Sequence, residues 1–158
     1  MNFIKKQLNY YYIIICTAII FSLNSYAVTK TWTGGVDVWN DGANWSPVGV
    51  PTSNDAVVVN VANDQAVAIN ADGECASLDV SNSGMAIVNR SDRTLTVDGD
   101  AKVSGLNSEL RANLGLFDVG GTATATNSGQ IIIDATNATF KAAKLVTDTG
   151  ILNWNLGT

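Results

Sequence analysis

From residue 56 onward the chain alternates short apolar bursts with polar punctuation. "AVVVNV" (56–61), "AVAIN" (66–70) and "ASLDV" (76–80) are followed by "LTVDGDAKV" (95–103), "LFDVGGTATA" (116–125) and "ATFKAAKLV" (138–146). Within the bursts, apolar and polar residues often trade places at every step, the period of a strand that buries one face. Asn, Asp, Gly and Ser cluster between them, the residues that tolerate tight turns and left-handed backbone. No long stretch keeps the 3.6-residue period of an amphipathic helix, so the pattern predicts an all-β protein.

The bursts also recur in register. Units open at Asn82 ("NSGMAIV"), Asn107 ("NSELRA"), Asn127 ("NSGQIII") and Asp148 ("DTGILNW"), spaced 25, 20 and 21 residues apart. A unit of that size, made of short strands and turns, cannot bury its own apolar face. It must stack on a neighbour, and the stack is a solenoid. The predicted fold is a parallel β-helix whose coils occupy residues 56–158. Its expected inward positions are Val80, Ile87, Leu95, Val97, Val103, Leu110, Phe117, Val119, Ile131, Ile133, Phe140, Leu145 and Ile151. An antiparallel β-sandwich would share the short strands and turn spacing. The recurring Asn-Ser corner, the register of the units and the lack of Asn-Gly hairpin dipeptides favour the solenoid.

A solenoid needs a cover at its ends, where apolar side chains and unpaired backbone would otherwise meet water. Ahead of the coils, residues 28–55 hold Trp32, Trp39 and Trp45 among Gly, Asn and Asp. Each ring can bury a large apolar area, and Gly34, Gly35, Gly42 and Pro51 permit an irregular path. This segment is the expected N-terminal cap. The competing expectation is a carbohydrate-binding surface: Trp32, Trp39 and Trp45 stacking on sugar rings while Asn44 and Asp41 reach the hydroxyls.

The first residues read as a cleaved secretory signal over 1–27: Lys5 and Lys6, the apolar run Ile13–Leu23, then Ser25 and Ala27 at small-residue positions. The run is shorter than the ~20 residues that span a bilayer. The expected location is outside the cell or on its surface, with no membrane span after cleavage. Removing Lys5 and Lys6 leaves seven basic residues against fourteen acidic ones, moving the net charge from −5 to −7. That balance, without any basic cluster, argues against nucleic acid. Cys75 is then the one remaining cysteine, so no intrachain disulfide can form, and its setting predicts a buried core thiol.

The pattern W-T-G-G-x-x-x-W-x-D-x-x-N-W-S, then P-x-x-x-D-x-V-V-V, resembles the N-terminal motif of large bacterial secreted β-helix proteins of the autotransporter-passenger and haemagglutinin-like adhesin kind. It is also similar to the G8 domain, a β-rich extracellular module. "SLDV", "LTVDGDAKV" and "LFDVGGTATATNSGQIII" are similar to the coil repeats of such proteins. The resemblance implies a cell-surface or secreted β-helix and no particular activity, since adhesins, stalks and polysaccharide-degrading enzymes share that architecture. Those proteins usually run to hundreds of residues. Here the fourth unit stops one strand in, which predicts either a piece of a longer protein or a minimal cover made by Trp154 and Leu156.

Chemistry is sparse. The chain has no histidine, which removes the commonest general base and metal ligand. Asp98 and Asp100 flank a glycine and read as a turn. Asp37, Asp41 and Asp55 lack the spacing of an EF-hand loop, and neither "TGG" nor "VGG" carries a phosphate-loop lysine. No catalytic residue, metal or cofactor is expected. The sequence predicts a structural or adhesive segment, with surface glycans or cell matrix as partners and self-association through the C-terminal coil edge. A carbohydrate-binding module, or the non-catalytic start of a polysaccharide-processing enzyme, is the alternative.

Overall fold

A computed structural model describes residues 26–62, 65–88 and 92–154, with Val88 and Trp154 described as backbone only. Most of the expected signal segment 1–27, and the cover expected from Trp154 and Leu156, lie outside what is described. In chain order the strands are β1 (Thr29–Trp32), β2 (Asp37–Val38), β3 (Trp45–Ser46), β4 (Ala56–Asn60) and β5 (Ala66–Ile69). Next come β6 (Gly73–Cys75), β7 (Ser77–Ser81), β8 (Met85–Val88), β9 (Thr94–Val97) and β10 (Ala101–Ser104). The series ends with β11 (Glu109–Ala112), β12 (Leu116–Thr126), β13 (Gln130–Ile133), β14 (Thr139–Asp148) and β15 (Ile151–Trp154). A 3-10 turn, Gly42–Asn44, precedes β3.

These strands form three walls of a parallel β-solenoid of about four turns. One wall stacks β1, β4, β7 and β10, then the C-terminal halves of β12 and β14. A second stacks β2, β5, β8, β11, β13 and β15. The third stacks β6, β9 and the N-terminal halves of β12 and β14. Thus β12 and β14 each turn a corner without a loop, and a register shift between Val119 and Thr122 marks the bend. Among the described strands, β1 with β3 is the one antiparallel pair. The other strand pairs are parallel, with one isolated antiparallel bridge from Thr126 to Thr149, and that parallel pairing is what separates a solenoid from a sandwich.

Register converts the repeat into a core. Val57, Leu78, Ala101, Ala123 and Leu145 lie one above another. So do Val67, Ala86, Leu110, Ile131 and Leu152 on the second wall. Gly73, Leu95, Phe117 and Phe140 do the same on the third, where the two phenyl rings stack 5.1 Å apart. Of the expected inward positions, Val80, Leu95, Val97, Val103, Leu110, Phe117, Val119, Ile131 and Ile133 are buried, and Phe140 packs half-buried against the core. Cys75 is fully buried, and desolvation, reinforced by the charges of Asp98, Asp55 and Glu74, pushes its thiol up to about 12.

Two inward expectations need correction. In β8 it is Ala86 that enters the core between Val67 and Leu110, while Ile87 shares the outer file with Arg111. In β15 Ile151 lies beside Gln130 on the outer file, and Leu152 takes the inner one. Both stretches are apolar over adjacent residues, so alternation gives no phase, and one step moves every side chain to the other face. Leu145 does stand in an inner file, yet it stays 42% exposed because it belongs to the last described coil.

The corners follow from turn chemistry. Asn82, Asn107 and Asn127 adopt φ of 58°, 61° and 49°, the left-handed region that Asn tolerates better than most residues. Each leads from the first wall to the second. Successive corners are tied together: Ser83 N donates to Ser108 Oγ at 3.0 Å, and Asn127 N donates to Thr149 Oγ1 at 3.0 Å. The coil-to-coil contact is tight enough that a Cβ on Gly129 would sit 2.7 Å from the Val103 carbonyl oxygen.

Candidate functional site

The tryptophan segment is woven into the solenoid. β1 is a rung of the first wall, paired in parallel with β4, and β2 is a rung of the second, paired with β5. The segment then turns back, and β3 pairs antiparallel with β1, placing Trp32 directly across from Trp45. Trp45 packs edge-to-face against both neighbours, with ring centroids 4.9 Å from Trp32 and 4.9 Å from Trp39. Such T-shaped pairs add attraction beyond area burial. The rings are 2%, 0% and 1% exposed for Trp32, Trp39 and Trp45. Stacking on a sugar needs an open ring face, and none of the three has one.

The polar residues assigned to the same surface serve the segment's own backbone. Asp41 caps the 3-10 turn, its Oδ1 accepting from Ala43 N at 2.9 Å. Asn44 donates from Nδ2 to the Val38 carbonyl and accepts at its own carbonyl from Thr33 N. Trp32 Nε1 donates to the Gly35 carbonyl at 3.2 Å, and Trp45 Nε1 to the Trp39 carbonyl at 2.8 Å. The arrangement is that of a plug. It closes the N-terminal end of the core, and Trp39 continues the third wall's inner file by packing over Gly73, where a Cβ would lie 2.9 Å from its Nε1.

Two charged residues complete the plug, and the sequence reading missed one of them. Lys30 stands in the inner file beneath Val57 and is buried. Its methylenes continue the core, while Nζ reaches out to the carbonyls of Pro47 and Val48 at 3.0 and 3.2 Å, the snorkelling a lysine stem allows. Asp55, also buried, accepts from Thr52 N, Thr52 Oγ1 and Val28 N. Burial acts to raise its carboxyl, but those three donors and the Lys30 charge outweigh it and hold the group below its ordinary 3.8. "KTW" in a strand carries no signal that its lysine points inward. Only the stacking of β1 on β4 reveals it.

Beside the plug lies a cavity of 380 Å³. Val50, Pro51 and Trp39 form the side contributed by the N-terminal segment. Asp72, Gly73 and Glu74 from the β6 region, with Thr94 and Thr96 of β9, form the other. Glu74 and Thr96 are register partners on the outer face, and Asp72 Oδ1 accepts from Thr94 N at 3.0 Å. These residues come from three separated stretches, so no local motif announces them. Among the described residues no three His, Cys, Asp or Glu side chains gather as metal ligands, and no helix is long and apolar enough to cross a membrane.

The last described coil is less covered than the coils before it. Leu145 and Leu152 of the last described coil, both on inner files, are 42% and 40% exposed.

A stack of parallel rungs plugged by tryptophan at one end defines the protein as a β-solenoid. Within that class the chain belongs to the DUF8693 family, a domain of unknown function, whose match covers residues 31–147 and so takes in both plug and coils. No curated protein and no solved structure matches the chain.

Proposed function

We propose that this chain is a non-catalytic structural or adhesive β-solenoid segment that works outside the cell or on its surface, as the signal-like N-terminus and the resemblance to bacterial secreted β-helix proteins imply. The observation that carries the reading is the division of labour among side chains. Aromatic and charged residues at the N-terminal end are spent on closing the core, and carboxylates on the walls serve neighbouring coils. Asp100 Oδ1 accepts from Thr122 N, Asp118 pairs with Lys141, and Arg111 bridges Glu109 and Asp134. Long ordered walls with their polar groups committed to the stack suit display and spacing. The carbohydrate-module alternative drew on the three tryptophan faces and loses that support with their burial.

The C-terminal edge is the expected route of self-association. The N-terminal end is closed, so two copies would meet end to end through the last coils and stop at a pair, because a shared face of this kind is used up by one partner. The test of the reading is paired. Beads coated with the purified protein should adhere saturably to cells or extracellular matrix, or space particles apart, while a panel of polysaccharides shows no release of new reducing ends. Turnover of any one polysaccharide would replace the proposal with an enzyme.

A further inference from the structure

We infer that the third wall takes an added strand: an extended peptide carrying a lysine or arginine docks along the free edge of β6, beside the plug. This goes beyond the structural or adhesive reading and does not depend on it. The starting point is a missing rung. The first wall begins at β1 and the second at β2, but the third begins only at β6, one coil later. Where an earlier rung would lie, the chain runs through the plug, and residues 52–55 close a turn, Asp55 N donating to the Thr52 carbonyl at 2.9 Å. The plug covers the core there but adds no strand to β6, whose one partner among the described strands is β9.

The ladder shows which groups this leaves over. In a parallel pair, alternate residues turn both backbone groups to the partner strand, and the residues between turn theirs away. Asp98 N donates to the Cys75 carbonyl at 2.9 Å, so Gly73 and Cys75 face β9. The N–H and C=O of Glu74 therefore point the other way. Ala76, the next residue turned that way, has its N–H bonded to the Asp55 carbonyl at 2.8 Å, but the Glu74 pair has no such partner among the described residues. An unpaired donor and acceptor on a strand edge are a template for another strand. The 380 Å³ cavity lies against this stretch, with Asp72, Gly73 and Glu74 on one side and Val50 and Pro51 on the other. Charge selects the occupant. The Glu74 side chain is exposed, Asp72 stands two residues before it, and no cation lines the cavity. An acidic strand would be repelled. A strand that sets Lys or Arg beside Glu74 is held by backbone and charge together, and small apolar neighbours suit Val50 and Pro51.

The test is a titration of the ¹⁵N-labelled protein with acetylated, amidated Val-Lys-Val-Lys-Val. Val-Glu-Val-Glu-Val and the lysine peptide methylated at every backbone nitrogen serve as controls. The lysine peptide should shift the Gly73, Glu74, Cys75 and Thr96 amides saturably and slow exchange of the Glu74 amide proton. Both controls should bind about fivefold more weakly or worse, the loss expected for a backbone hydrogen bond or a favourable charge. Glu74→Pro removes the N–H that β9 does not use, the position at which an edge strand admits proline, and should weaken the lysine peptide about fivefold or more. Glu74→Gln keeps the backbone and loses the charge, and should weaken it about twofold or more. The same spectra report whether each variant folds. The proposal is overturned if the lysine peptide moves none of these amides. It is overturned equally if either control binds as tightly, or if the folded variants bind as tightly as the parent.

Discussion

Asp55 shows how much one buried carboxylate does here. It holds Thr52 and Val28 by their backbone N–H groups and sits in the field of Lys30. Asp55→Ala leaves those donors unsatisfied and should destabilise the protein by about 1–3 kcal/mol, read by urea unfolding. The sign of the pH effect follows from the lowered folded-state pKa. The contribution is fully present above the unfolded value near 3.8 and is lost as pH falls through the lower folded value. The parent should therefore lose stability on acidification below about pH 4, and Asp55→Asn should lose less over that window. Cys75 gives a second check. Its buried thiol, pushed up to about 12, should resist alkylation in the native protein at pH 8 and react at once in denaturant. Cys75 was legible as a core residue from its flanking strands. Lys30 was not, because an amphipathic side chain hides its role until the rung stacked on it is known.

At the scale of elements, corners and close approaches set the coil. Gly129 has the Val103 carbonyl 2.7 Å from where its Cβ would be, whereas Gly35 has nothing within 4 Å. Gly129→Ala should cost about 1–3 kcal/mol through overpacking, and Gly35→Ala should stay within about 0.5 kcal/mol of the parent. Thermal unfolding of the two side by side tests this. The corners were readable in the sequence since Asn82, Asn107 and Asn127 are residues suited to left-handed backbone, and their spacing located the coils. The phase within β8 and β15 was not readable, because "MAIV" and "GILNW" offer two apolar neighbours for one inner position. The register of the adjacent coil decides between them, and that is information from about twenty residues away.

For the whole molecule, the contrast between the plug and the last described coil matters most. The N-terminal end is closed by rings less than 3% exposed, while inner-file leucines remain half open at the other. Sedimentation over a wide concentration range should reveal a monomer–dimer equilibrium, and Leu145→Asp with Leu152→Asp should shift it to monomer without unfolding the walls. A parent that stays monomeric throughout would remove the open edge from the account. The cavity beside the plug belongs to this scale too. It exists only where the N-terminal segment meets β6 and β9, and no single stretch of sequence could show it. The tryptophan cluster was visible as a group from the start. That the rings are buried became visible only with β3 folded back on β1.

The central claim is that Trp32, Trp39 and Trp45 seal the solenoid. Acrylamide quenching of tryptophan emission, in a Trp154→Phe background so that only these three rings report, tests it most directly. The account predicts blue-shifted emission that acrylamide quenches far less than in the same protein unfolded in guanidinium. Red-shifted emission, quenched as readily in the native protein as in the unfolded one, would contradict it.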